Sequence, residues 1–115
     1  MNHVPESPHL LVMTSLENQE DAKVLVRELV ASHIVACGTV LPPATSIYRW
    51  EGRVVEAGES VVLLKTHRSR WDELTWAVEE LHPYDVPELL AFPVDSGLAS
   101  YLHWLEAETA QVEAE

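Results

Sequence analysis

The sequence predicts an α+β fold: a split βαβ, ferredoxin-like βαββαβ sandwich with an extra C-terminal helix and a long β-hairpin. Three observations lead there. Short apolar runs alternate with stretches of helical periodicity in the order β-α-β-β-α-β-α. Two of the strand runs meet at a Gly-containing turn, Glu51-Gly52. The chain has 115 residues, enough for one domain built on one core. Residues 1–115 are therefore read as a single domain, with flexible ends at 1–8 and 109–115.

"HLLVMTSL", His9 to Leu16, is an apolar run that reads as a buried strand at the centre of a sheet. In "ENQEDAKVLVRELVASH", Ala22, Leu25, Val26, Leu29 and Val30 recur at i, i+3, i+4, i+7 and i+8, one apolar face of a helix. Asn18, with Asp21 three residues on, marks its start. "IVACGTVLPPATSIYRW" is rich in β-branched and small residues but carries Pro42 and Pro43, so it reads as strand, kink, strand. "VVEAGESVVLLKT" is the return strand, and Gly58 within it suggests a bulge. The resulting hairpin, Ser46 to Thr66, is long enough to reach past the domain body. Its exposed edge needs a cover or a partner strand.

"SRWDELTWAVEEL" follows as a second helix. Ser69 is the expected N-cap, with Asp72 at capping-box spacing, and Trp71, Leu74, Val78 and Leu81 share a face. Pro83 ends it, because a residue before proline avoids helical geometry. Pro87 to Val94 reads as a strand. The last helix sets Leu98, Tyr101, Leu102 and Leu105 at helical spacing, ahead of a polar tail.

Acids outnumber bases 19 to 7, a net charge of −12. Phosphate binding needs clustered Lys and Arg, so nucleic acid and anionic membrane are excluded as partners. No apolar run approaches the ~20 residues of a membrane span. The start, "MNHVPESPHL", lacks a basic region followed by a long apolar stretch, and Cys37 is the single cysteine. Both predict a cytoplasmic protein without an intrachain disulfide.

Six His and one Cys raise the question of metal, yet there is no C-x-x-C, no H-E-x-x-H and no His pair at i, i+4. A metal site would be assembled from distant segments. Cys37 reads either as a small buried hydrophobe or as a ligand. His82 reads either as a helix C-terminal residue facing the last carbonyls or as part of a polar site. No G-x-S-x-G, P-loop or dinucleotide turn is present, so no enzymatic role is expected. The polar residues with the strongest claim to a pocket are Trp50, Glu59, Lys65, His82 and Tyr84. Glu59 and Lys65 are six apart and share one face of the return strand.

These residues lie in blocks that resemble a known family. "ACGTVLPPATSIYRWEG", "ESVVLLKT", "HPYDVPELL" and "YLHWL" occur in the order and spacing of the CutA family, the divalent-cation tolerance proteins. The resemblance covers nearly the whole chain. It implies a homotrimer with the architecture of the PII signalling proteins, whose long hairpin strands pair across subunits. It implies an inter-subunit cleft at Trp50, Glu59, Lys65, His82 and Tyr84. It also implies a role in copper or other divalent-metal tolerance, with Cys37 and His82 matching proposed ligands. Met13 stands where the family's strand-one Cys falls, and Leu81 where a further His falls. Metal ions and copies of the chain itself are thus the expected partners, and copper or another divalent cation the expected cofactor. Two other readings stay open: a PII-like sensor holding a small anionic metabolite in the cleft, and a stable trimeric scaffold.

Overall fold

A computed structural model describes residues 6–111. Five strands, β1 (His9–Leu16), β2 (Cys37–Val40), β3 (Ala44–Trp50), β4 (Arg53–His67) and β5 (Leu90–Pro93), form one sheet. Three helices accompany it: α1 (Gln19–Ala31), α2 (Trp71–Leu81) and α3 (Ala99–Thr109). The strand order is β2-β4-β1-β5, with β3 also on β4, and every pairing is antiparallel. The chain is thus α+β, with β1 inside the sheet as its apolar run predicts.

The two faces of the sheet differ, because side chains alternate along each strand. Leu10, Val12 and Leu16 of β1 and Val62 and Leu64 of β4 face α1 and α2. They form the core with Ala22, Leu25, Leu29, Leu74, Ala77 and Val78. Asn18 caps α1 through Oδ1, which accepts from the N–H groups of Glu20 and Asp21. Gly38 of β2 lies under α1: a Cβ there would sit 2.7 Å from Val26 Cγ1 and 2.8 Å from Leu64 Cδ2. The opposite face receives α3, which packs near Cys37 and Lys65 through Tyr101. Only α1 and α2 therefore share one side of the sheet. Beyond α3 this second face is apolar and incompletely covered: Leu11, Met13 and Leu63 are half-buried, and Leu90 and Phe92 are exposed.

The hairpin differs from expectation at its bulge. Gly58 pairs in register with Thr45 and has no positive φ. The irregularity is on the other strand. Val40 pairs with Val62 and Ala44 with Glu59, so Leu41, Pro42 and Pro43 face only Ser60 and Val61. Proline lacks the N–H that a regular ladder needs, so the extra residue falls there. The turn is as predicted, with φ of 50° at Glu51 and 78° at Gly52. β1 pairs only with Ser60–His67 of β4. The segment Arg53–Glu59 thus carries β3 on one edge and, among the described residues, no strand on the other, a two-stranded ribbon about 20 Å long at ~3.3 Å per residue.

Two further expectations shift. Ser69 lies within a 3-10 turn, Arg68–Arg70, and the side-chain cap there is His67 Nδ1, accepting from the Ser69 N–H. Leu81 and Val30 are exposed rather than part of the core-facing stripes. Of the ends expected to be flexible, residues 1–5 and 112–115 lie outside the described residues. Ser7 is tied down: its hydroxyl donates to the Val94 carbonyl at 2.7 Å, and its carbonyl accepts from Arg68 Nε at 2.7 Å. Thr109 is buried and bonds back to Leu105.

Candidate functional site

The site begins with the loop His82–Leu89, between α2 and β5. Pro83 forces His82 out of helical geometry, to φ −75° and ψ 135°, so its ring leaves the helix. It points at β1, where Nε2–H donates to the Ser15 carbonyl at 2.8 Å. A carbonyl only accepts, which fixes the proton on Nε2. Nδ1 then accepts the Tyr84 backbone N–H at 3.2 Å. Both ring nitrogens are occupied, and the imidazole is 6% exposed. Burial lowers the His82 pKa, against the opposing pull of the Ser15 bond and of Glu59. The ring is thus held neutral.

His82 supports Tyr84, whose ring meets it edge-on at 4.8 Å. Tyr84 Oη–H donates to Glu59 Oε2 at 2.9 Å, and the Ser15 hydroxyl reaches the same oxygen at 3.4 Å. Burial first, and Glu59 second, push the Tyr84 phenol far above its ordinary range, so it stays a donor. The loop is pinned again where Thr14 Oγ1 donates to the Glu88 carbonyl at 2.6 Å. The stiff, proline-bracketed segment thus fixes one wall of a cleft.

That cleft measures about 770 Å³. Its floor is Ser15 and Glu59, from β1 and β4. One wall is the loop, with Tyr84, Asp85, Val86 and Glu88. The other is the ribbon, with Ile47, Tyr48 and Trp50. Glu17 closes the end. The pairing of carboxylates with aromatic faces is the site's chemical character, and among the described residues neither Lys nor Arg lines it.

Comparison with known proteins agrees in sequence and in fold. Residues 10–108 match the family described as CutA1 divalent ion tolerance protein. The chain belongs to the CutA1 family. Divalent-cation tolerance protein CutA of Thermus thermophilus is 39% identical over 99 residues, 86% of this chain and 96% of that protein. Chloroplastic Protein CutA of Arabidopsis thaliana is 36% identical over 102 residues, 89% of this chain and 56% of that longer one. Among solved structures, CutA1 from Oryza sativa superposes with a TM-score of 0.88 at 34% identity, covering 93% of this chain and 98% of that one.

In this CutA1 chain the residues expected in one cleft fall into two groups. Trp50, Glu59 and Tyr84 line the cleft, with His82 behind Tyr84. Lys65 is elsewhere. It shares the face of Glu59, but six residues of strand separate them by about 20 Å. Lys65 Nζ lies 5.9 Å from the centre of the Tyr101 ring, beside Cys37, its partner across the β2–β4 ladder. Cys37 Sγ is 3.7 Å from Tyr101 Oη. Burial and the Cys37 contact raise the Tyr101 pKa, and Lys65 opposes them.

The metal candidates do not converge within one chain. Cys37 and Met13 are separated by β4, two strand spacings or about 10 Å. His82 offers no free nitrogen. Among the described residues no three His, Cys, Asp or Glu side chains cluster as a metal site. Leu81, at the expected place of a His, lines a shallow groove beside α1 with Val24 and Pro83. The cleft residues not foreseen from sequence include Ser15, Glu17, Tyr48 and Asp85. Ser15 and Tyr48 arrive through strand register across the sheet, which leaves no local signal, whereas Asp85 simply follows Tyr84 in the loop.

Proposed function

We propose that the chain acts as a homotrimer in divalent-metal tolerance, holding metal ions weakly at positions completed by a neighbouring subunit. The observation that carries this reading is the ribbon of β3 and β4. An isolated two-stranded ribbon is marginal in water. This one projects with a free edge at Arg53–Glu59 and exposes Ile47, Trp50 and Val54. A second copy supplies the missing strand contacts, and the apolar strip of Leu11, Met13, Leu90 and Phe92 continues the surface to be covered. The radius of gyration, 15.6 Å, exceeds the ~13 Å of a compact chain of this length, as expected of a subunit shaped by its neighbours. The strand order supports the ferredoxin-like description and, with it, a PII-like assembly.

Since no three such donors converge among the described residues, metal would depend on Cys37 or cleft carboxylates meeting groups of another copy. Cys37, whose Sγ makes one long contact with Tyr101 Oη, is a better candidate than the doubly bonded His82. A non-enzymatic role and a cytoplasmic setting complete the reading. The second reading, an anionic metabolite in the cleft, draws no support from one chain, whose cleft carries four carboxylates and no basic side chain among the described residues.

Titration of the purified assembly with Cu(II) and Zn(II) tests the metal role. Weak saturable binding that is diminished in Cys37→Ala is expected. Binding that Cys37→Ala leaves unchanged would remove Cys37, and the absence of any binding would remove the metal role.

A further inference from the structure

We infer that the groove between α1 and the C-terminal end of α2 is a docking site for a short basic segment of another protein, with apolar residues between two cationic ones. The inference goes beyond the tolerance role and concerns the helix side of the sheet, where α1 and α2 pack. The ribbon edge and the apolar strip on the second sheet face, which a neighbouring copy would cover, are other parts of the surface. Asp21, Val24, Leu25 and Glu28 recur at i, i+3, i+4 and i+7, so they share one face of α1. That face meets Leu81 and Pro83 to form the groove. Leu25 is its buried floor, whereas Val24 and Leu81 are 55% and 50% exposed.

A single exposed apolar side chain is ordinary on a protein surface. Here two converge on one hollow from different helices, with a proline beside them. The hollow measures about 250 Å³, below the roughly 300–1,000 Å³ of sites that enclose a small molecule. It suits apolar side chains of a longer chain lying across it. The charge at its rim says which chain. Asp21 and Glu28 flank the apolar pair, and among the described residues neither carboxylate has an ion pair. Their spacing along the helix sets them about 10 Å apart, at ~1.5 Å per residue. Lys23 is paired with Glu20 at 3.2 Å, and neither it nor Arg27 lines the groove. An acidic rim repels nucleic acid and anionic lipid. Apolar floor and acidic rim together select a polypeptide with Lys or Arg on either side of apolar residues. Past Asp21 and Pro83 the surface continues into a second hollow that Glu17 also lines, which lengthens the track for an extended segment.

The test is fluorescence anisotropy of a labelled, end-blocked peptide, two arginines around three leucines, titrated with the full chain in about 150 mM salt, where diffuse surface attraction is screened. Saturable binding is expected, weakened about fivefold or more in Leu81→Ser and in Glu28→Gln. Both side chains are exposed, so two independent variants keep the fold and remove different halves of the contact. Glu79→Gln, on the exposed surface of α2 and outside the groove, is expected to bind as the wild type does. A peptide with glycines in place of the leucines is expected to bind about fivefold more weakly or worse. Equal binding of the glycine peptide marks plain attraction to an acidic surface and overturns the inference. So does the absence of saturable binding, or equal binding by wild type and both groove variants. The oligomeric mass of each variant is expected to match that of the wild type. A changed mass assigns the groove to contacts between copies and overturns the inference too, which separates its failure from failure of the assembly reading.

Discussion

His82 organises the site without offering a ring nitrogen to it. Its Nε2–H is bound to Ser15 and its Nδ1 to the Tyr84 amide, so its chemistry is positional. Burial holds its pKa below the ordinary 6.5, so the folded chain resists a proton that the unfolded chain accepts. The resulting stabilisation is complete above pH 6.5 and is lost as pH falls from there through the folded value. His82→Ala should cost roughly 1–3 kcal/mol near neutral pH, because it leaves the Ser15 carbonyl and the Tyr84 amide unpaired. Urea unfolding of both proteins should show that gap narrowing below pH 6.5. A gap that stays constant, or widens in acid, contradicts the neutral buried imidazole.

At the scale of elements, the hairpin and α3 show what sequence carries and what it does not. The Glu51-Gly52 turn was legible because positive φ has few chemical solutions. The bulge was not, because Gly58 and the Pro42-Pro43 pair both permit one. Only the register with β4 distinguishes them. The common face of Glu59 and Lys65 followed from strand parity, but the unbroken length of β4 sets them far apart. His82 and Tyr84 could be singled out because two prolines bracket them. Ser15 and Tyr48 could not, since long-range pairing delivers them. Helical periodicity overstated the core at Val30, Leu81 and Leu98, which are exposed in the single chain. Packing between elements is most directly testable at Gly38, where β2 passes under α1. Gly38→Ala should destabilise by roughly 1–3 kcal/mol, since the new methyl would overlap Val26 and Leu64 in a filled core. Thermal unfolding checks this, and an unchanged midpoint would mean that α1 is free to lift away.

For the whole molecule, the features left unsatisfied in one chain share a direction. The ribbon has a free edge, the second sheet face is covered only where α3 reaches it, and Leu90 and Phe92 lie open on β5. Each is costly for a monomer and ordinary inside an assembly. The net charge of −12 adds repulsion between copies, so the apolar contacts must outweigh it, and added salt should tighten rather than loosen the assembly. The family assignment rests on residues 10–108, whereas the proposed trimer rests on these surfaces. Sedimentation equilibrium at micromolar concentration tests them most directly. A single species of three chain masses is the predicted result. A chain that stays monomeric at that concentration, folded and in moderate salt, would contradict it.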